Sequence, residues 1–231
     1  MRIDKNYHKG KLDIATSKGI RLIQIFEDEW EHKREIVKSR LSNILGVNTN
    51  KIYGRLCIVR EITHVEEREF LDENHIQGYT RSSIKLGLYF ENTLVSVMSF
   101  SRPNLSRGIR DAKPTEWELL RFASLKGTNV LGAAGKLFKY FRNTYLPTKV
   151  ISYSDKRWSV GGLYETIGFT TNGDTPINYW YINLKNVKRL HRFALRKNSK
   201  DIQSLTEYEN RLAQGYLRIW DCGNGRWIWT S

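Results

Sequence analysis

A short run of small residues precedes an amphipathic helix in the middle of the chain. The stretch TNVLGAAGKLFKYF spans residues 128–141 and places two glycines and two alanines where the helix is predicted to begin. Such a turn leaves backbone N–H groups bare at a helix N-terminus, where an anion can dock. The sequence leaves three possibilities for this turn: it binds the pyrophosphate of a cofactor, it binds a phosphate of nucleic acid, or it binds no anion. The residues of this candidate site are Asn129, Gly132, Ala133, Ala134 and Gly135.

Three further side chains could do chemistry near this turn. Arg121 lies in EWELLRF, which we predict to be a strand, and a guanidinium on that strand could clamp a phosphate. Asp155 ends the predicted strand KVISYSD and could act as a base, while Tyr164 lies nine residues later on a predicted helix and could donate a proton. The alternative is structural: Arg121 and Asp155 form an internal ion pair, and Tyr164 is a core aromatic whose hydroxyl is satisfied.

Three consecutive acids, Glu27, Asp28 and Glu29, form a weaker candidate, for a metal site. They could collect Mg²⁺ only if the backbone brought their side chains together. Near the start of a predicted helix, Asp28 and Glu29 more often interact with the helix dipole. The five histidines do not lie at i, i+3 or i+4 spacing, and the two cysteines are far apart in the sequence. A histidine metal cluster, a paired-cysteine zinc site and a disulfide framework are therefore not expected.

The charge of the chain favours a polyanionic partner. Among 231 residues, 38 Lys and Arg stand against 24 Asp and Glu, which gives a net charge of +14. Nucleic acid is the default partner for such a field, although a ribosomal or membrane-surface protein would show the same balance. Basic residues are concentrated in a loop at 102–113 and in a predicted basic helix at 186–200. The candidate DNA-binding residues are Arg102, Arg107, Arg110, Lys113, Lys188, Arg189, Arg192 and Arg196.

The apolar periodicity predicts a mixed α/β protein in three segments. Residues 1–47 contain a predicted strand at 19–26 and one helix over 28–46. Residues 51–184 alternate strands and helices and include a hairpin that turns at Glu91 and Asn92. Residues 185–231 contain the basic helix, a second helix and a hairpin that turns at 223–225. No signal-peptide core and no run of eighteen apolar residues occur, so we expect a cytoplasmic protein with no membrane partner.

The order of the predicted elements from residue 51, with NVLGAAG at the mouth of one helix and LYETIGF after the next strand, resembles the GNAT acyltransferase fold. The resemblance implies a mixed sheet flanked by helices and an R/Q-x-x-G-x-G/A turn that cradles the pyrophosphate of acetyl-CoA. Asn129 stands where that family usually has Arg or Gln, and Lys136 is the nearest replacement cation.

Two phrases, EWELLRF and ISYSDKRWSVGGLYETIGF, also resemble the GNAT-like DNA-modification proteins of phages, the Mom type. That family pairs an E-L-x-R-L/F strand with an S-Y-A/S-D strand end and a following Tyr. The resemblance implies functional roles for Glu118, Arg121, Asp155 and Tyr164.

The N-terminal stretch NYHKGKLDIATSKGIRLIQIFEDEWEHKREIVKSRL is similar to the end of the nuclease domain in Hef-like phage homing endonucleases, relatives of the very-short-patch-repair endonucleases. In those proteins a GNAT-like region and a tail like GYLRIWDCGN follow, so the resemblance covers essentially the whole chain. Their metal-binding Asp and catalytic His residues lie upstream, where this sequence has only residues 1–5. A partner chain or self-association could complete the nuclease part.

Together these patterns predict a DNA-targeting protein of the phage homing-endonuclease, mobile-element type that binds duplex DNA in an infected bacterial host, with nuclease activity in doubt. The alternative is a CoA-dependent GNAT-like acyltransferase, including a Mom-type enzyme that modifies DNA bases. A catalytically inactive DNA-binding module is the third possibility. Acetyl-CoA and Mg²⁺ are the cofactors that these alternatives would use.

Overall fold

The computed structural model describes residues 4–103 and 113–231, and the chain divides into two compact units. Each unit is assembled from three separated stretches, so the units do not coincide with the three consecutive segments predicted from the sequence. Unit 1 comprises residues 1–32, 154–160 and 174–225, and unit 2 comprises residues 33–153, 161–173 and 226–231.

Helices and strands alternate along most of the chain. The helices are α1 Tyr7–Ser17, α2 Glu27–His32, α3 Arg34–Ile44, α4 His64–Asn74, α5 Ala133–Tyr145, α6 Gly162–Thr166 and α7 Glu207–Ala213. The strands are β1 Lys51–Tyr53, β2 Ile58–Glu61, β3 Ile84–Phe90, β4 Thr93–Ser101, β5 Glu116–Ser124, β6 Asn129–Leu131, β7 Lys149–Asp155, β8 Thr170–Asp174, β9 Tyr179–Asn183, β10 Lys188–His191, β11 Tyr216–Trp220 and β12 Asn224–Thr230.

A seven-stranded mixed sheet with the order β2-β3-β4-β5-β7-β12-β8 forms the framework of unit 2. Neighbours from β2 to β5 run antiparallel, and β5 and β7 run parallel. Successive side chains of a strand point to opposite sides of the sheet, so both faces of this sheet can pack against helices. On β4, Phe100 stacks on Phe141 of α5 with ring centroids 3.7 Å apart, while Val97 packs in the cluster that contains Phe70 of α4. The predicted mixed α/β class, with helices flanking a mixed sheet, is confirmed.

A second, three-stranded antiparallel sheet with the order β10-β9-β11 belongs to unit 1. The predicted basic helix over 186–200 is therefore wrong. Lys188 to His191 pair with β9, and a single 3-10 turn follows at Arg192–Leu195. Basic residues lie on most sides of this stretch, so it has no wide apolar stripe to bury as a helix, whereas β9 offers a complete ladder of backbone partners.

Three other predictions need correction. Residues 19–26 form no strand, and the single helix predicted over 28–46 is interrupted at Lys33 into α2 and α3. The C-terminal hairpin does not form, because β11 pairs with β9 whereas β12 lies between β7 and β8. The predicted β3–β4 hairpin is confirmed, and both turn residues, Glu91 and Asn92, have positive φ values of 47° and 64°. Within the described ranges, no helix has the length and apolarity needed to cross a membrane.

Candidate functional site

The turn before α5 has the open backbone that the sequence predicts. Gly132 is the N-cap of α5 with φ of 75°, in the left-handed region that glycine tolerates best. A Cβ atom added at Gly132 or Gly135 would meet nothing within 4 Å. Ala133 and Ala134 are buried beneath the turn. The first N–H groups of a helix have no partner inside the helix, so this turn presents donors to open space.

On its other side, the same turn is in close contact with β1 and Gly54. β1 pairs in parallel with β6, and a Cβ atom on Gly54 would lie 2.9 Å from the backbone oxygen of Leu131 and 3.2 Å from the nitrogen of Ala133. Lys136, expected as a replacement cation for an anion, donates to the backbone oxygens of Cys57 and Arg55 instead. The turn therefore offers backbone donors, while its nearest lysine is engaged by carbonyl oxygens.

Two neighbouring parallel strands of the large sheet diverge, which the sequence did not predict. β5 and β7 pair at three positions only, from Glu116 with Lys149 to Glu118 with Ile151. Beyond Glu118 the other edge of β5 stays bonded to β4 as far as Ser124. Among the described residues, no strand pairs with the β7-facing edge of β5 beyond Glu118. Along the chain, β5 is followed by β6 and then by the turn at Gly132.

Tyr164 lies beside the place where these strands separate. Its hydroxyl accepts a hydrogen bond from Ser152 Oγ at 3.0 Å and donates to the backbone oxygen of Tyr153 at 3.2 Å. Ser152 Oγ also lies 2.9 Å from the backbone oxygen of Leu119 on β5, so its single hydroxyl hydrogen is shared between that carbonyl and the Tyr164 hydroxyl. Burial raises the pKa of Tyr164, outweighing the hydrogen bond from Ser152 and the nearby positive charge of Arg121. The phenol therefore keeps its proton, as a proton donor must.

The other predicted catalytic residues have different surroundings. Arg121 Nε donates to the backbone oxygen of Gly78 at 3.0 Å, and its Nη1 donates to that of Leu120 at 2.9 Å. Glu118 is buried in the middle of the sheet. Asp155 belongs to unit 1, where its carboxylate accepts from Arg157 at 2.6 Å. The structure thus places Arg121, Glu118 and Tyr164 in unit 2, and gives Asp155 an ion-pair partner that the sequence did not suggest.

Two of the three consecutive acids at the start of α2, Asp28 and Glu29, form ion pairs with arginines. Glu29, which is 1% exposed, accepts from Arg157 at 2.8 Å and from Arg189 at 2.9 Å. Asp28 pairs with Arg189 at 3.1 Å, whereas Glu27 is exposed. In the part of the chain that the structure describes, no group of three acidic, histidine or cysteine side chains could hold a metal ion. The predicted Mg²⁺ site at Glu27, Asp28 and Glu29 is not supported.

The candidate DNA-binding residues are in several different environments. Arg107 and Arg110 lie outside the described residues, and Lys113 lies at their edge. The guanidinium of Arg102 stacks 3.8 Å from the ring centroid of Trp117. Arg189 is occupied by Asp28 and Glu29, as described above. Lys188 and Arg196 are exposed, and Arg192 is half-buried.

Comparison with solved structures finds acetyltransferases among the similar chains. No family model and no curated protein matches the chain. A Bacillus subtilis acetyltransferase in complex with CoA is 13% identical, with 76% of this chain and 97% of that chain covered and a TM-score of 0.41. The ribosomal-protein-S18-alanine N-acetyltransferase of Escherichia coli is 8% identical, with 75% and 93% covered and a TM-score of 0.44. A GNAT family acetyltransferase from Elizabethkingia anophelis with acetyl-CoA bound is 14% identical, with 76% and 99% covered and a TM-score of 0.42.

These likenesses agree with the GNAT-like part of the resemblance stated from the sequence. At such identities and TM-scores they carry no argument about what this chain binds or does. They give no support to the homing-endonuclease or Mom-type parts, which stay predictions.

Proposed function

We propose that unit 2 binds an acyl-CoA and transfers its acyl group to an acceptor amine. The observation that carries the proposal is the divergence of β5 and β7 after three paired positions, which leaves one edge of β5 open directly before the turn at Gly132. An extended ligand with amide groups binds an open strand edge through main-chain hydrogen bonds. The pantetheine arm of CoA is such a ligand.

The turn fits the phosphate end of the same ligand. The absence of side chains at Gly132 and Gly135 lets an oxygen atom approach the backbone N–H groups, and the helix N-terminus favours negative charge. Asn129 supplies no positive charge, and Lys136 is held by backbone oxygens. We therefore expect weaker binding than a turn with a free arginine would give.

In this proposal the Tyr164 hydroxyl would donate its proton to the CoA thiolate that leaves as the acceptor amine takes the acyl group, and would regain a proton from the ammonium that the attack generates. Bound acyl-CoA would supply an acyl group activated as a thioester. Ser152 and the backbone oxygen of Tyr153 fix the orientation of the Tyr164 hydroxyl, and its raised pKa keeps the proton in place through the neutral range. Arg121 contributes positive charge in the same unit.

Calorimetry with acetyl-CoA tests the binding step. We expect saturable heat with the wild-type chain and none with Gly132→Glu, because a side chain there fills the approach to the N–H groups and brings negative charge. Gly46→Glu is the matched control, since Gly46 also has open space around it and a φ of 71°, close to that of Gly132. Absence of binding at millimolar acetyl-CoA, or equal binding by both variants, would refute the proposed site.

The Tyr164→Phe variant tests the chemical step. We expect it to keep its acetyl-CoA affinity and to lose most CoA-thiol release in the presence of polyamine, lysine peptide or DNA as acceptor. The variant loses two hydrogen bonds, from Ser152 Oγ and to the backbone oxygen of Tyr153, which should lower the free energy of unfolding by roughly 1–3 kcal/mol. Tyr145→Phe, which removes a hydroxyl bonded to Glu61 on the same unit, is the control. Nucleoside masses after the DNA reaction test the base-modifying alternative. Undiminished thiol release by Tyr164→Phe would exclude Tyr164 as the donor.

A further inference from the structure

Unit 1 contains an open cavity of about 920 Å³ next to α7, β9 and β11. The register of β9 and β11 places Arg218 opposite Tyr181 and Trp220 opposite Tyr179, so these side chains share one face of the sheet. Tyr208 of α7 and Lys5 also line the cavity. Aromatic rings therefore line its wall together with two cations, Lys5 and Arg218, and three acids, Asp4, Glu207 and Glu209.

Arg218 is held among aromatic rings, and no carboxylate among the described residues pairs with it. Its guanidinium lies 4.3 Å from the ring centroid of Tyr179 and 4.7 Å from that of Tyr208. Its Nη2 donates to the Tyr181 hydroxyl at 3.2 Å, and its Nε is buried with no hydrogen-bond partner among the described residues. Stacking thus fixes the guanidinium plane, and the positive charge of Arg218 stays available to an anionic ligand.

The acids that line the cavity are already bonded. Glu207 accepts from the hydroxyls of Tyr179 and Tyr181, at 3.1 and 2.7 Å. Glu209 accepts from Thr206 in the capping box of α7. Asp4 accepts from the backbone N–H of Asn6. The ammonium of Lys5 lies 5.4 Å from the ring centroid of Trp220, and no carboxylate among the described residues forms an ion pair with Lys5 or Arg218.

We propose that this cavity binds single-stranded nucleic acid. An unstacked base can lie on the rings of Trp220 and Tyr208, and the adjoining phosphate meets Arg218 and Lys5. Base stacking on aromatic and guanidinium planes, together with backbone neutralisation, is how single strands are bound without dependence on sequence. The net charge of +14 favours the approach of such a polyanion. None of the residues predicted from the sequence to bind duplex DNA lines this cavity, and the proposal is independent of the acyl transfer in unit 2.

Fluorescence anisotropy with a labelled oligothymidylate of about twelve nucleotides tests this proposal. We expect tighter binding of the single strand than of a duplex of equal nucleotide content. Trp220→Leu and Arg218→Gln should each weaken single-strand binding on the order of tenfold, and Arg218→Gln should reduce the salt slope by about 0.7. Near-ultraviolet circular dichroism shows whether each variant keeps its tertiary packing, and Arg218→Lys supplies a milder change that keeps the charge.

Arg60→Gln is the matched control, because Arg60 also stacks on a tyrosine, Tyr89, at 5.0 Å, but in unit 2. It removes the same charge and should leave single-strand affinity within about twofold of wild type, since surface charges away from a contact contribute little. Equal losses in Arg60→Gln and Arg218→Gln, a preference for duplex, or unchanged binding by folded Trp220→Leu would each overturn the proposal. Thymidine monophosphate binding as tightly as the oligonucleotide would overturn it as well, in favour of a free-nucleotide site.

Discussion

Two adjacent carboxyl groups, Asp28 and Glu29, have pKa values that shift in opposite directions. Burial raises the pKa of Asp28, and the charge of Arg189 offsets this only in part. Burial would also raise the pKa of Glu29, but the charges and hydrogen bonds of Arg157 and Arg189 hold it below its usual range. The two arginines, Arg157 and Arg189, therefore stabilise the ionised form of Glu29.

The Glu29→Gln variant should lower the free energy of unfolding by roughly 2–3 kcal/mol near pH 7, because it leaves Arg157 and Arg189 with less buried negative charge. A lowered folded-state pKa contributes stability above the unfolded value, about 4.3, and that stability is lost as pH falls through the folded value. The difference from wild type should therefore shrink at acidic pH. Urea unfolding at pH 7 and pH 4 measures it.

Glu27→Gln is the control for this prediction, since Glu27 is exposed on the same helix turn. It should change stability by less than about 0.5 kcal/mol at either pH. A Glu29→Gln loss of equal size at both pH values would show that packing, and not charge, is responsible.

At the scale of elements, the start of α6 depends on one of two adjacent glycines. Gly161 is the N-cap with φ of 97°, and an added Cβ atom would lie 1.8 Å from Cζ2 of Trp227. That indole stacks on Tyr164, with ring centroids 5.4 Å apart and planes inclined by 13°. Gly162 begins the helix, and a Cβ atom there would meet nothing within 4 Å. The sequence SVGGL gives no means of telling the two glycines apart.

Gly161→Ala should cost at least about 3 kcal/mol, from the left-handed backbone and from displacement of the Trp227 ring. Gly162→Ala should be neutral or stabilise by up to about 1 kcal/mol, because it restricts the unfolded chain without a clash. Thermal and urea unfolding of the two variants make the comparison. Similar stabilities for both would mean that the ring of Trp227 moves aside at little cost.

Several elements were predictable because their signals are local. The β3–β4 hairpin follows from alternating apolar residues around Glu91 and Asn92, and α4 follows from an apolar face preceded by Thr63 and Glu66, which form a capping box. The basic stretch at 186–200 was mispredicted because part of it pairs with β9, and the local sequence does not specify that pairing. Similarly, β11 and β12 look like a hairpin in the sequence, but their partners are strands elsewhere in the chain.

For the molecule as a whole, the charge of +14 keeps duplex DNA binding as a prediction, though with fewer candidate residues than the sequence suggested. Lys188→Gln and Arg196→Gln should each reduce the salt slope of duplex binding by about 0.9, since each removes one phosphate contact. Arg189→Gln should instead lower stability and leave the slope unchanged, because its guanidinium is already bound by Asp28 and Glu29. Anisotropy titrations with a labelled duplex between 50 and about 200 mM salt measure the slopes.

If the salt slope of duplex binding is unchanged in Lys188→Gln and Arg196→Gln, these two residues do not contact the duplex. Absence of duplex binding even at low salt would remove the prediction altogether. In that case the surface charge would serve solubility.

The α/β class, the hairpin, the small-residue turn before α5 and the excess of positive charge can be read from the sequence, because each depends on composition or on residues a few positions apart. The divergence of β5 and β7, and the arginines that bind Asp28 and Glu29, depend on contacts between distant parts of the folded chain. The position of Arg218 among three tyrosines depends on such contacts as well. Arg157 and Glu29 are 128 residues apart in the chain. No local periodicity specifies such a partner, since burial and charge select it only after the chain has folded.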